Sequence, residues 1–278
     1  MRSVNIEAVA EHYSQEELLS AIHNGLTALG KTIDTVSIDD LAPVDEFHIG
    51  GRPATRALLD QLDLSSDKTV LDIGCGLGGT SRFIAATYES RVKGIDLTPA
   101  YVKTGSELCK WVGLEDRVEL KQGNALQTGF DDASFDAACM LHVGMNIPDK
   151  HKLFAEINRV LRPGGQIAIY DIMRASDEPL AYPVPWASVV DTCVMSSPEH
   201  YRHALEVSGF EIVNVRDRTE FATDFFEMLK KNAAARGGPP PIGLHLVMGK
   251  ATPDKVANMI KNVTTGKAAP TEMIARKV

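Results

Sequence analysis

Val70-Leu71-Asp72-Ile73-Gly74-Cys75-Gly76-Leu77-Gly78-Gly79 joins an apolar run to four glycines. The apolar run reads as a buried strand, and residues 80–88 read as the helix that follows it. Glycine has no β-carbon and tolerates φ > 0, so main-chain N–H groups there can approach a bound molecule. The N-terminus of the next helix adds unpaired donors. Strand, loop and helix together predict a nucleotide-type site. Gly74, Gly76 and Gly79 fit the G-x-G-x-x-G dinucleotide pattern, and Asp96 stands where that pattern has its ribose-binding acid. On these residues alone, a nicotinamide-dependent oxidoreductase is one of two open readings.

Further residues separate the readings. Asp72 lies two residues before the first glycine, where a central parallel strand buried on both faces is normally apolar. Strand Arg117 to Lys121 runs into Gly123-Asn124-Ala125, and strand Phe135 to Met140 runs into Leu141-His142. Leu161-Arg162-Pro163-Gly164-Gly165 then closes a helix before strand Gln166 to Asp171. From about Phe47 to Asp171 this order resembles the class I S-adenosylmethionine-dependent methyltransferases. The layout, with Phe47-His48-Ile49-Gly50-Gly51 ahead of the core, further resembles the small-molecule amine methyltransferases of the sarcosine and dimethylglycine type.

The alternation of elements after Lys68 predicts an α/β fold with a mostly parallel sheet, helices on both faces and ligands at the carboxyl ends of the strands. The resemblance implies a Rossmann-like sheet of seven strands whose last strand is antiparallel. It also implies an N-terminal helical lid over residues 1–50 and a methyltransferase domain over 51–278. Cap insertions are expected at about 173–197 and 221–267, the latter between the sixth and seventh strands. Leu18, Leu19, Ile22, Leu26 and Leu29 form one helical stripe over Gln15 to Leu29, with Gly30 as its stop. Lys31 to Gly51 reads as irregular, and Pro53 to Leu62 as a helix.

The cofactor implied by the resemblance is S-adenosylmethionine, with S-adenosylhomocysteine as product. Asp96 then accepts hydrogen bonds from the ribose hydroxyls, Leu97 packs on the adenine, and Asn124 with Ala125 meets its edge. Asp72, Gly74, Gly76 and Gly78 lie along the methionyl end, and Leu141 lines the same site. Methyl transfer is an in-line displacement that requires alignment and exclusion of water, and a general base only where the acceptor must lose a proton. His142, just past the fourth strand, is the catalytic candidate. His48, Tyr13, Asn146, Tyr182 and Trp186 are the candidates for contact with the acceptor. An amine nitrogen is the expected acceptor, with C- or O-methylation of a quinone, terpenoid or other natural product as the alternative.

Composition bounds the rest. A net charge of -8 disfavours a protein that binds nucleic-acid phosphates, so the expected partner is a small-molecule acceptor. The four cysteines show no C-x-x-C spacing and predict neither a metal site nor a disulfide framework. No apolar run approaches the roughly 20 residues of a membrane span, and the N-terminus lacks the apolar run of a signal peptide. A cytoplasmic protein is expected.

Overall fold

The computed structural model describes residues 18–278. Five strands are parallel: β1 (Thr69–Ile73), β2 (Arg91–Asp96), β3 (Val118–Gln122), β4 (Phe135–Leu141) and β5 (Leu161–Arg174). With β6 (Phe210–Asp217) and β7 (Ala268–Lys277) they form one sheet of order β3-β2-β1-β4-β5-β7-β6. As the resemblance implies, β7 is antiparallel, pairing with both β5 and β6. β1 therefore sits between β2 and β4, where the strand order reverses. Its carboxyl end opens into the crevice that such a switch point creates.

The period of two in the strands sorts side chains between two cores. Val70, Ala168, Tyr170 and Ile172 face one side, and Leu71, Ile73, Ile167 and Ile169 face the other. The second side is covered by α6 (Lys150–Val160) and α7 (Pro198–Val207), through Leu153, Phe154, Ile157 and Tyr201. The first side carries the chain from Leu180 to Ala187, α3 (Gly51–Leu59) and α4 (Gly79–Thr87). α8 (Thr219–Arg236) and α10 (Thr252–Thr264) join it through Phe226 and Val263.

The N-terminal region is more ordered than its sequence suggests. α1 (Leu18–Ala28) buries Leu18, Ile22 and Leu26 against Leu77, Ile242, Val247 and α5 (Pro99–Trp111), through Tyr101 and Leu108. The segment read as irregular contains α2 (Ile38–Asp45), which starts with a reciprocal capping box between Ser37 and Asp40. That box satisfies two orphan N–H donors, and the helix runs on through Pro43. The helix read over Pro53 to Leu62 starts at Gly51 and ends at Leu59. β5 starts at Leu161, paired with Phe135, so the Arg162-Pro163-Gly164-Gly165 turn belongs to an extended strand. Between β6 and β7, the short α9 (His245–Met248) follows the proline-rich turn.

Candidate active site

The glycine loop leaves β1 and returns as α4, with Gly74, Gly76 and Gly78 all at positive φ. A β-carbon on Gly74 would lie 2.3 Å from Val143, and one on Gly78 would lie 2.8 Å from Leu120. One on Gly76 would meet nothing within 4 Å. The first two glycines are required by packing, whereas Gly76 lies open toward a cavity of about 1600 Å³ that Gly74 and Gly76 line and Gly78 does not. Gly78 instead forms the N-cap of α4.

At the end of β2, Asp96 accepts from Gly76 N–H at 2.9 Å and from Thr98 N–H at 2.8 Å, one bond to each carboxylate oxygen. The Thr98 side chain also bonds the carboxylate, which with about four acceptor sites keeps acceptor capacity for the cavity that Asp96 and Leu97 line. Asp72 lies under the loop, accepting from Ser81 Oγ at 2.6 Å and from Cys139 Sγ at 3.6 Å. Burial pushes its carboxyl up to about 6. After β3, Asn124 closes a turn on itself: its Oδ1 accepts from Leu126 N–H and its main-chain oxygen from Gln127 N–H, both at 2.9 Å. The turn holds its amide, with Ala125, in the cavity wall.

The last residue of β4, Leu141, and the loop after it, with His142 and Asn146, lie along the same cavity. His142 stands at φ 55, a left-handed conformation unusual for a residue with a β-carbon, and its N–H donates to Tyr170 O at 2.7 Å. The ring packs against Tyr170 at 4.9 Å and His48 at 5.9 Å between centroids. His142, Asn146 and Trp186 line the cavity, and their Nε2, Oδ1 and Nε1 atoms are buried without a hydrogen-bond partner among the described residues. Burial drives the His142 imidazole well below the ordinary histidine value, with the neighbouring His48 adding to the effect. His48, held 3.0 Å from Thr55 Oγ1, is pushed down to about 4, again chiefly by burial. Both rings are free bases at neutral pH.

Tyr182 lies apart from this wall, packed on the core with its hydroxyl bonded to Cys193. Tyr13 lies outside the described residues.

Residues 71–169 match the family described as "Methyltransferase domain". Over 220 residues the chain is 30% identical to the methyltransferase GfsG of Streptomyces halstedii, covering 76% of each chain. It is 27% identical to the sarcosine/dimethylglycine N-methyltransferase of Halorhodospira halochloris over 63% of each. The geranyl diphosphate C-methyltransferase of Streptomyces coelicolor, solved with S-adenosyl-L-homocysteine, shares the fold at a TM-score of 0.71 and 20% identity, over 98% of each chain. The chain belongs to the class I S-adenosylmethionine-dependent methyltransferases.

The methyl donor is therefore S-adenosylmethionine, and the nicotinamide reading of the glycine loop falls. The donor carries no phosphate, and among the described residues neither lysine nor arginine lines the cavity between Asp72 and Leu126. The free acceptor sites of Asp96, the open glycine turn and the amide of Asn124 suit a ribose, an amino-acid chain and an adenine edge. The methyltransferase's relatives include N-, O- and C-methyltransferases by name, so the family leaves the acceptor atom open.

Several residues that shape the methyltransferase's site are silent in its sequence. Arg82, fully buried, bonds Leu77 O in the glycine loop at 2.8 Å, Gly105 O in α5 at 3.2 Å and Asp45 of α2 at 2.5 Å. It ties the cofactor loop to the N-terminal segment. Beside it, Glu46 pairs with Arg52 Nε at 2.7 Å and accepts from Thr55 Oγ1 at 2.5 Å. The only local signal was the pair of acids Asp45-Glu46 in an otherwise apolar stretch.

Proposed function

We propose that this methyltransferase transfers a methyl group to a hydroxyl oxygen of a small molecule, with His142 as the general base. When bound, S-adenosylmethionine supplies a sulfonium methyl group that a nucleophile takes by in-line displacement. The chain's own task is to aim the nucleophile, take its proton and keep water out. The observation that carries the reading is the unpartnered, buried Nε2 of an unprotonated His142 in the cavity wall. A hydroxyl can donate to that nitrogen, and the imidazole can then accept the proton as oxygen becomes nucleophilic. Asn146 Oδ1 and Trp186 Nε1 supply a second acceptor and a donor to orient the group.

An amine nitrogen fits the same position less well. The carboxylates that could hold an ammonium beside it, Asp45 and Glu46, are already paired with Arg82 and Arg52. In this reading α1, α2 and the cap formed by α8 to α10 roof the site, and the N-terminal segment acts as its lid.

A screen of phenols, alcohols and amines with methyl-labelled S-adenosylmethionine supplies the test. On a hydroxylated acceptor, His142→Ala should lower kcat by about 10²-fold or more, with cofactor affinity by calorimetry nearly unchanged. In the wild type, the low imidazole value keeps this base active through neutral pH, so the acid limb of kcat/KM should fall well below 6.5. Full turnover by His142→Ala, or turnover of amines alone, would overturn the hydroxyl reading.

A further inference from the structure

The cavity is larger than cofactor binding explains. Ligand pockets typically measure about 300–1,000 Å³, while this one measures about 1600 Å³. Beyond the glycine loop and the His142 loop, it continues under the cap, where Phe226, Leu229, Met259 and Ile260 line it. Phe226 is buried and Met259 and Ile260 are half-buried, all packed on the main core, so this wall is built rather than a surface accident. Leu229 stays exposed at 40% although it lines the same space.

Charge narrows the class of ligand. The cations that line the cap side, Arg236 and Lys250, are solvent-exposed. Among the described residues, no buried lysine or arginine lines the cavity to receive a carboxylate or phosphate. At the reacting end the unpartnered groups of His142, Asn146 and Trp186 are neutral, and the buried carboxylates Asp45 and Glu46 that share the cavity wall are paired with Arg82 and Arg52. A small zwitterion or a phosphorylated amine would lose its hydration there without gaining a buried cation for its anionic group.

We propose that the acceptor is a bulky apolar molecule with a single reacting polar group, its body under the cap on Phe226, Leu229, Met259 and Ile260. This rests on the methyl-transfer reading of the site, and it holds whether the reacting atom is oxygen or nitrogen.

The test is a series of 4-alkylphenols from methyl to nonyl, with a matched series of N-methylalkylamines, and sarcosine and phosphoethanolamine as polar controls. Release of S-adenosylhomocysteine gives kcat/KM, and calorimetry on the complex with S-adenosylhomocysteine gives affinity. Affinity should rise about two- to fourfold per added CH₂ over several carbons, and kcat/KM should follow wherever the series turns over. Met259→Asp should abolish that rise, with S-adenosylmethionine affinity by calorimetry showing that the variant is folded.

A rise in the amines with no turnover of phenols would keep the apolar acceptor and discard the hydroxyl. A flat series, absence of binding by every member, or preference for sarcosine or phosphoethanolamine would overturn the apolar acceptor. In the flat case, turnover of the phenols would leave the hydroxyl reading standing.

Discussion

His48 and His142 form, with Tyr170, a cluster of rings in which neither imidazole can easily hold a proton. For His48 the consequence can be measured. Its folded value is depressed to about 4, chiefly by burial and secondarily by Arg52, against opposing effects of Asp45 and Gly51. A histidine depressed in the folded state gives stability above its unfolded value of about 6.5, and this is lost as pH falls toward the folded value. Between pH 8 and 5, acidification should cost the wild type about 2 kcal/mol more than it costs His48→Gln. Asp72 and Asp171, each raised to about 6 by burial, carry the opposite sign, since their contribution is lost as pH rises from about 4 through 6. They are common to both chains and cancel in the difference. Urea unfolding at the two pH values checks it, and equal slopes would mean that His48 titrates normally. The sequence showed His48 ahead of the core and His142 just past the fourth strand; it did not show that their rings would meet.

At the scale of elements, the meeting of α1 with the cap decides whether the site has a roof. Gly25 sits in α1 where a β-carbon would lie 2.4 Å from Pro241 O. Helix propensity alone makes Gly25→Ala stabilising by about 1 kcal/mol. Because the obstacle is backbone, we expect the reverse: destabilisation of about 1–3 kcal/mol as α1 and the proline turn are forced apart, with a drop in turnover as water enters. A more stable Gly25→Ala with unchanged turnover would show that α1 does not press on the turn. The other side of the site is held similarly by buried polar groups. Tyr201 donates to Asp171 Oδ2 at 2.6 Å, and Lys150 donates to Ile147 O at 2.5 Å, pinning the loop that carries His142 and Asn146 from behind. Of these devices only the helical stripe of α1 was legible beforehand. The capping box of α2 was present in the sequence as Ser37 and Asp40, within the segment read as irregular.

For the whole molecule, the cofactor end of the cavity links folding to binding. S-adenosylmethionine at about 100 times its Kd should stabilise the wild type by about 2.7 kcal/mol. We expect Asp96→Ala, by removing two charge-assisted bonds to the ribose, to weaken binding by about 2 kcal/mol, so at the same concentration the stabilisation should shrink to about 1 kcal/mol. Chemical denaturation with and without the cofactor measures both, and equal shifts would displace Asp96 from the ribose. The sequence by itself determined the alternating strands and helices of a mostly parallel sheet, the glycine turn and the acid at the end of β2. Strand period, helical stripe and glycine conformation are set by sterics and hydrogen bonds acting over a few residues. Tertiary structure alone decided that Tyr170 faces the His142 ring while Asp171 faces Tyr201, that Trp186 joins the cavity wall while Tyr182 does not, and that Arg82 finds Asp45. Burial, proton affinity and pairing depend on neighbours brought together from distant parts of the chain, and no local pattern encodes them.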